Sequence, residues 1–148
     1  MTSRTPEETT AFYEACQEVE AFIHACTVSA EDDFRTKPEL PFESKLMDFY
    51  IVSTRRIANM MQVNDESAVR TIDGWSLELK QISIAEQSRG KRFCLHFIQF
   101  LLTIMPHDFL FIQSVLSPKL KEMLCSDHFS DHVVLVERFG GNSFAIVK

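Results

Sequence analysis

The sequence predicts an α/β (α+β) domain, a mixed sheet flanked by helices, and three observations carry that prediction. Apolar residues recur at helical spacing between Phe12 and Cys26. The stretch from Trp75 to Lys148 alternates between β-type and α-type patterns in the order β-α-β-α-β-β. The chain has 148 residues, 45% of them hydrophobic, with 13 phenylalanines spread along its length. That is enough apolar surface for a single core, and it is unlike a disordered composition.

The elements follow in order. Thr5-Pro6-Glu7-Glu8 is a capping box with proline at the first helical position, a strong helix start. Phe12, Cys16, Val19, Phe22, Ile23 and Cys26 continue it, predicting an amphipathic helix from Pro6 to near Cys26. Glu31-Asp32-Asp33 through Pro38 and Pro41 is polar and proline-broken, hence loop. Asp48–Val63 is read as two strands, Phe49–Val52 and Arg56–Gln62, around a turn at Ser53-Thr54-Arg55; a single helix is the competing reading. Asp73-Gly74 is a hairpin turn signal. A strand Ser76–Ala85 runs into the turn Glu86–Lys91, then a helix Arg92–Met105 that Pro106-His107-Asp108 breaks. Phe109–Val115 is a buried strand, expected to lie parallel to the one before the helix. Ser117-Pro118 opens a short helix to about Cys125, with serine as cap and proline at N1. Val133–Phe139 and Ser143–Val147 form a terminal hairpin around Gly140-Gly141-Asn142. No repeat or linker divides the chain, so one domain is expected.

Charge and cysteine usage narrow the function classes. A formal net charge of −6 argues against general attraction to nucleic acid or anionic membrane, while leaving room for a local basic cluster. Cys16, Cys26, Cys94 and Cys125 include no CxxC pair. Cys16 and Cys26 would lie about 15 Å apart on one helix, too far for a disulfide. Free thiols of this kind fit a reducing compartment, so a cytoplasmic location is expected. MTSRTPEETT has no apolar signal-peptide core, and the run Phe93–Met105 is too short to span a bilayer. That run is apolar on nearly every face, which predicts burial. Any face left uncovered would serve a homodimer.

The most informative feature is the turn Gln87-Ser88-Arg89-Gly90-Lys91-Arg92 between a strand and a buried helix. Exposed N–H groups at a helix start, with the positive end of its dipole, favour an anion. Gly90 permits backbone angles or a close approach that a side chain forbids. Arg89, Lys91 and Arg92 add cations at an end where cations are unfavourable without a compensating anion. A solvated basic turn is the plainer reading. The six residues resemble the Q/R-x-x-G-x-G/A signature of the GNAT superfamily of acyl-CoA-dependent N-acyltransferases, including the Arg-Gly-Lys wording common in that motif. The resemblance covers about Trp75–Lys148, because the downstream helix, strand, short helix and hairpin match as well. It implies a GNAT-like fold, acetyl-CoA or another acyl-CoA as co-substrate, and a pyrophosphate held by Gln87, Ser88, Arg89, Gly90, Lys91 and Arg92. The chain departs from the family in three places. Arg92 stands where the motif wants glycine or alanine, no strand precedes the first helix, and no tyrosine lies near Leu124-Cys125.

Acyl transfer from a thioester to an amine requires proximity, deprotonation of the ammonium and stabilisation of the leaving thiolate. On the resemblance, Glu78 on the preceding strand is the candidate base, against the plainer reading of a solvent-facing strand residue. Cys125 or Ser117 would protonate the thiolate, although Cys125 is more simply a small core residue and Ser117 a helix cap. Glu86 is expected to balance the charges of Arg89 and Lys91. Cys125, His128 and His132 have a spacing that zinc can use, but a polar loop is the default and no metal is expected. The function expected is acyl transfer from acyl-CoA to an amine acceptor. The alternative is a GNAT-like protein that has lost catalysis and serves as a binding or structural module.

Overall fold

The local signals at the N-terminus act as the sequence indicates. Glu8 N donates to Thr5 Oγ1 at 3.1 Å and Thr5 N donates to Glu8 Oε1 at 2.8 Å, so two donors of the first turn are satisfied reciprocally. Helix α1 (Pro6–Ser29) follows and buries Ala15, Cys16, Val19, Ile23 and Cys26 as one stripe. In the computed structural model the described residues are 3–29, 37–63, 65–113, 115–138 and 141–148. The expected acidic loop at Glu31-Asp32-Asp33, Phe139 and the Gly140 part of the last turn lie outside them.

Among the described residues six strands form a mixed sheet: β1 (Glu39–Phe42), β2 (Met47–Gln62), β3 (Asp65–Ile84), β4 (Phe109–Ile112), β5 (Val133–Glu137) and β6 (Phe144–Val147). Helix α2 (Phe93–Ile104) joins β3 to β4 and helix α3 (Pro118–Leu124) follows β4. The strand order is β1-β2-β3-β4-β6-β5, with a further pairing of β5 to β2. β3 and β4 are parallel, as a strand-helix-strand crossover requires, from Ser76↔Phe109 to Leu79↔Ile112. β5 and β6 are the expected antiparallel hairpin, Val133↔Val147 to Val136↔Phe144.

Four sequence expectations need correction. Residues 48–63 make neither a hairpin nor a helix but one strand, β2. Its Phe49–Val52 part pairs antiparallel with β1, and its Met60–Gln62 part pairs with β5. Ser53, expected in a turn, is instead a buried strand residue. The Asp73-Gly74 signal also marks no turn, because both residues lie inside β3. Gly74 is needed for close approach: a Cβ there would stand 2.4 Å from Oδ2 of Asp108. Pro41, expected in a loop, sits in β1, where an edge strand tolerates its missing donor. β4 ends at Ile112 rather than Val115.

The chain divides into two compact units, residues 1–52 with 81–106 and residues 53–80 with 107–148. In the first, Phe12 of α1 meets Phe93 of α2 with ring centres 5.4 Å apart, and Phe49 of β2 meets Phe97 of α2 at 4.7 Å. Helix α2 buries Phe93, Leu95, Phe97, Ile98, Leu101 and Leu102, and only Thr103 among its residues is exposed. In the second unit, β2, β3, β4, β6 and β5 close into a ring because β5 pairs back onto β2. Each of the five strands contributes to one buried cluster: Met60, Ile72, Phe109, Phe111, Leu135 and Ala145. Ser117 accepts from Leu120 N at 3.3 Å and caps α3 as its sequence indicates.

Candidate functional site

The turn after β3 is a short 3-10 segment, Glu86–Ser88, followed by Arg89 in extended conformation. Gly90 has φ +82° and a Cβ there would meet open space, so the glycine is required by its backbone angles. Arg92 is the N-cap of α2 with φ 66° and ψ 21°, the left-handed region. This explains physically why a glycine suits that position. The first hydrogen bond of α2 runs from His96 N to Arg92 O at 3.0 Å, and no side chain caps the helix start. Donors at this end are therefore left to solvent or a ligand. Replacing Arg92 by glycine relieves the left-handed strain, about 1 kcal/mol or somewhat more, against an unfolded-state entropy cost of about 0.5–1 kcal/mol. Thermal denaturation of Arg92→Gly is expected to show unchanged or slightly raised stability. A loss above about 1 kcal/mol would mean that the side chain holds the turn.

The cations of the turn have distinct environments. Arg89 is exposed and its Nε donates to Ile84 O at 3.1 Å. The side chain of Arg92 is exposed and makes no hydrogen bond or ion pair among the described residues. Lys91 is mostly buried, and its partner is not Glu86 but Glu8 of α1, with Nζ 2.7 Å from Oε1. Ser88 Oγ donates to the other oxygen of Glu8 at 2.5 Å. Lys91 and Ser88, together with Thr5 N, hold the Glu8 carboxyl down to a pKa of about 2. Arg4 adds support from its Nη2, 2.8 Å from Lys91 O and 2.7 Å from His96 Nδ1. Its guanidinium also lies 4.1 Å from the Phe93 ring centre. A cavity of about 380 Å³ adjoins the turn, lined by Glu7, Lys45, Leu46 and Gln87 besides Glu8, Ser88 and Lys91.

Glu78 and Cys125 belong to the second unit. Glu78 is not solvent-facing: it is 1% exposed. Arg56 grips it with two bonds, Nε to Oε2 at 2.5 Å and Nη2 to Oε1 at 3.0 Å, while Lys80 stands at 3.5 Å. The Arg56 guanidinium lies 4.0 Å from the ring centre of Phe111, the β4 partner of Glu78. Cys125 closes α3 as its C-cap and is exposed, not core, and desolvation nonetheless raises its pKa, which disfavours the thiolate. It lines a cavity of about 300 Å³ with Ser126, Asp127, Ser130 and His132. Among the described residues no group of three His, Cys, Asp or Glu side chains is arranged to hold a metal ion.

One polar cluster has no sequence signal at all. Ser53 Oγ lies 2.9 Å from His107 Nε2 and accepts from Trp75 Nε1 at 2.9 Å, while the Trp75 and His107 ring centres lie 4.0 Å apart with the rings tilted by 33°. The direction of the Ser53–His107 contact follows the ring tautomer, because a hydroxyl both donates and accepts. Nδ1 is buried without a partner among the described residues. The pair is a serine beside a histidine, but at 3% and 1% exposure neither meets a substrate, and the cluster is structural. It joins residues 54 positions apart, beyond any motif.

No helix among the described residues is long and apolar enough to cross a membrane. Compared with family models, curated proteins and solved structures, the chain finds no match.

Proposed function

We propose that the chain is an N-acyltransferase of GNAT type, using acyl-CoA as co-substrate and an amine as acceptor, with the diphosphate of the coenzyme held at Gln87–Arg92. The observation that carries this reading is the uncapped start of α2 reached through Gly90 at φ +82°. Free helix-start donors, open space over Gly90 and the exposed Arg89 and Arg92 suit a phosphate group. The carboxylate of Glu8, already bound by Lys91 and Ser88, supports an anion preference at the same turn. The parallel β3–β4 pair and the closing β5–β6 hairpin agree with the element order of the family. In this reading the coenzyme brings the activated thioester, and the chain's own residues bind and orient it.

The bidentate Arg56–Glu78 pair favours a second reading, a GNAT-like binding module without catalysis. A carboxylate with both oxygens engaged by a guanidinium is not free to turn towards an amine acceptor. Calorimetric titration with acetyl-CoA separates the readings from the start. The wild type is expected to bind, and Gly90→Glu is expected to abolish binding by adding negative charge and bulk at the turn. No binding by the wild type at millimolar coenzyme removes both readings' shared site. Binding that Gly90→Glu leaves intact moves the site elsewhere. If coenzyme binds, thiol release across an amine panel tests turnover, and undiminished turnover in Glu78→Gln excludes Glu78 as the base.

A further inference from the structure

The turn proposed to hold phosphates already has an anion in it, and that anion is the chain's own. Glu8 projects from the first turn of α1 with its side chain 12% exposed, and the Lys91 side chain that meets it is 9% exposed. The donors on this carboxylate are an ammonium at 2.7 Å, a serine hydroxyl at 2.5 Å and a backbone N–H at 2.8 Å. A phosphate oxygen would seek the same set: a point charge, a hydroxyl and a backbone amide. Two of the three donors, Ser88 and Lys91, belong to the turn itself, and the adjoining cavity of about 380 Å³ leaves room for an incoming group beside them.

We infer that Glu8 is an internal competitor for this anion site: while it holds Lys91 and Ser88, a phosphate-bearing ligand engages the turn only by displacing it. The inference deepens the reading of Gln87–Arg92 as a phosphate-binding turn and rests on it. The free protein is thereby balanced, since the buried Lys91 ammonium is never without a partner. The ligand's intrinsic affinity is reduced by the fraction of molecules in which Glu8 occupies the donors. Mild acid does not release the block, because the carboxylate stays ionised down to a pH of about 2.

Calorimetry with inorganic pyrophosphate and, separately, with acetyl-CoA tests this on the wild type, Glu8→Gln and Glu7→Gln. Glutamine at position 8 still accepts from Thr5 N, so the capping box and α1 are retained. Melting curves are expected to show all three variants folded. Glu7 is exposed and lines the same cavity, so Glu7→Gln removes an equal charge without touching Lys91. Glu8→Gln is expected to bind pyrophosphate about tenfold tighter than the wild type, and Glu7→Gln within about twofold of it. Affinity unchanged or weakened in Glu8→Gln overturns the inference. So does an equal gain in Glu7→Gln, which would reduce the effect to net charge. A gain for pyrophosphate with no binding of acetyl-CoA by any variant sustains the competitor and removes the coenzyme. Failure of every variant to bind either ligand removes both.

Discussion

Replacing Arg56 by methionine is expected to destabilise the protein by about 3 kcal/mol, the lower end of the cost of breaking a buried ion pair. Glu78 is 1% exposed and keeps no ideal partner once the guanidinium is gone, since Lys80 stands at 3.5 Å from Oε1. Arg56 itself is 30% exposed, which is why the lower end applies. The loss also removes its contact with the Phe111 ring. A second substitution shows the origin of the effect. Arg56→Met with Glu78→Leu removes the stranded charge along with its partner, and is expected to recover most of the loss. Urea denaturation of the two variants checks both statements. If the double variant is as unstable as the single one, packing by Arg56, not an orphaned carboxylate, is responsible.

Acid is expected to destabilise the protein through His107. Burial, with Lys148 nearby, lowers the pKa of His107 from 6.5 to about 4, against a small opposing effect of Asp108. The unfolded chain takes up a proton near pH 6.5, whereas the folded protein resists it until about pH 4. The unfolded state therefore binds more protons throughout that window, and stability falls as pH falls. The full contribution is present above pH 6.5 and is lost progressively towards pH 4. It amounts to about 3 kcal/mol. Carboxylates titrate in the same range, so the test is a difference. Between pH 7 and pH 4, His107→Leu is expected to lose about 3 kcal/mol less stability than the wild type. Trp75, the chain's single tryptophan, lies against His107 and reports the transition by fluorescence. Parallel pH profiles would show that His107 does not drive acid unfolding.

What the sequence reveals here is local chemistry. The Thr5–Glu8 box, the Ser117 cap and the β5–β6 hairpin each depend on residues a few positions apart, and each acts as its pattern indicates. The strand-turn-helix at Gln87–Arg92 was legible for the same reason, down to the backbone demand at Gly90. Pairings set by distant segments were not legible. Residues 48–63 look like two strands because two different partners, β1 and β5, lie along one strand. Gly74 looks like a turn because its constraint, the Asp108 carboxylate, lies 34 positions away in sequence. The partners of Glu78, Lys91 and His107 lie 22, 83 and 54 residues away, so no spacing rule reaches them. These partners change the chemistry of the candidate residues most: Glu78 is neutralised by Arg56, and Lys91 is satisfied by Glu8.

The return of β5 onto β2 has a consequence for how copies of this chain behave in a concentrated solution. A strand with an open flank is a template for another chain, and recruitment along it is a common start of fibre growth. Among the described residues, Met60–Gln62 of β2 and Ser76–Leu79 of β3 are covered by β5 and β4, so that template is missing along those stretches. Among the described residues one outer flank of the sheet is β1, four residues long with Pro41 among them, too short and too poor in donors to seed a ladder. Exposed apolar side chains such as Ile57 and Val69 stand on β2 and β3 outside the stretches that β5 and β4 pair, so their surroundings are not protected in the same way.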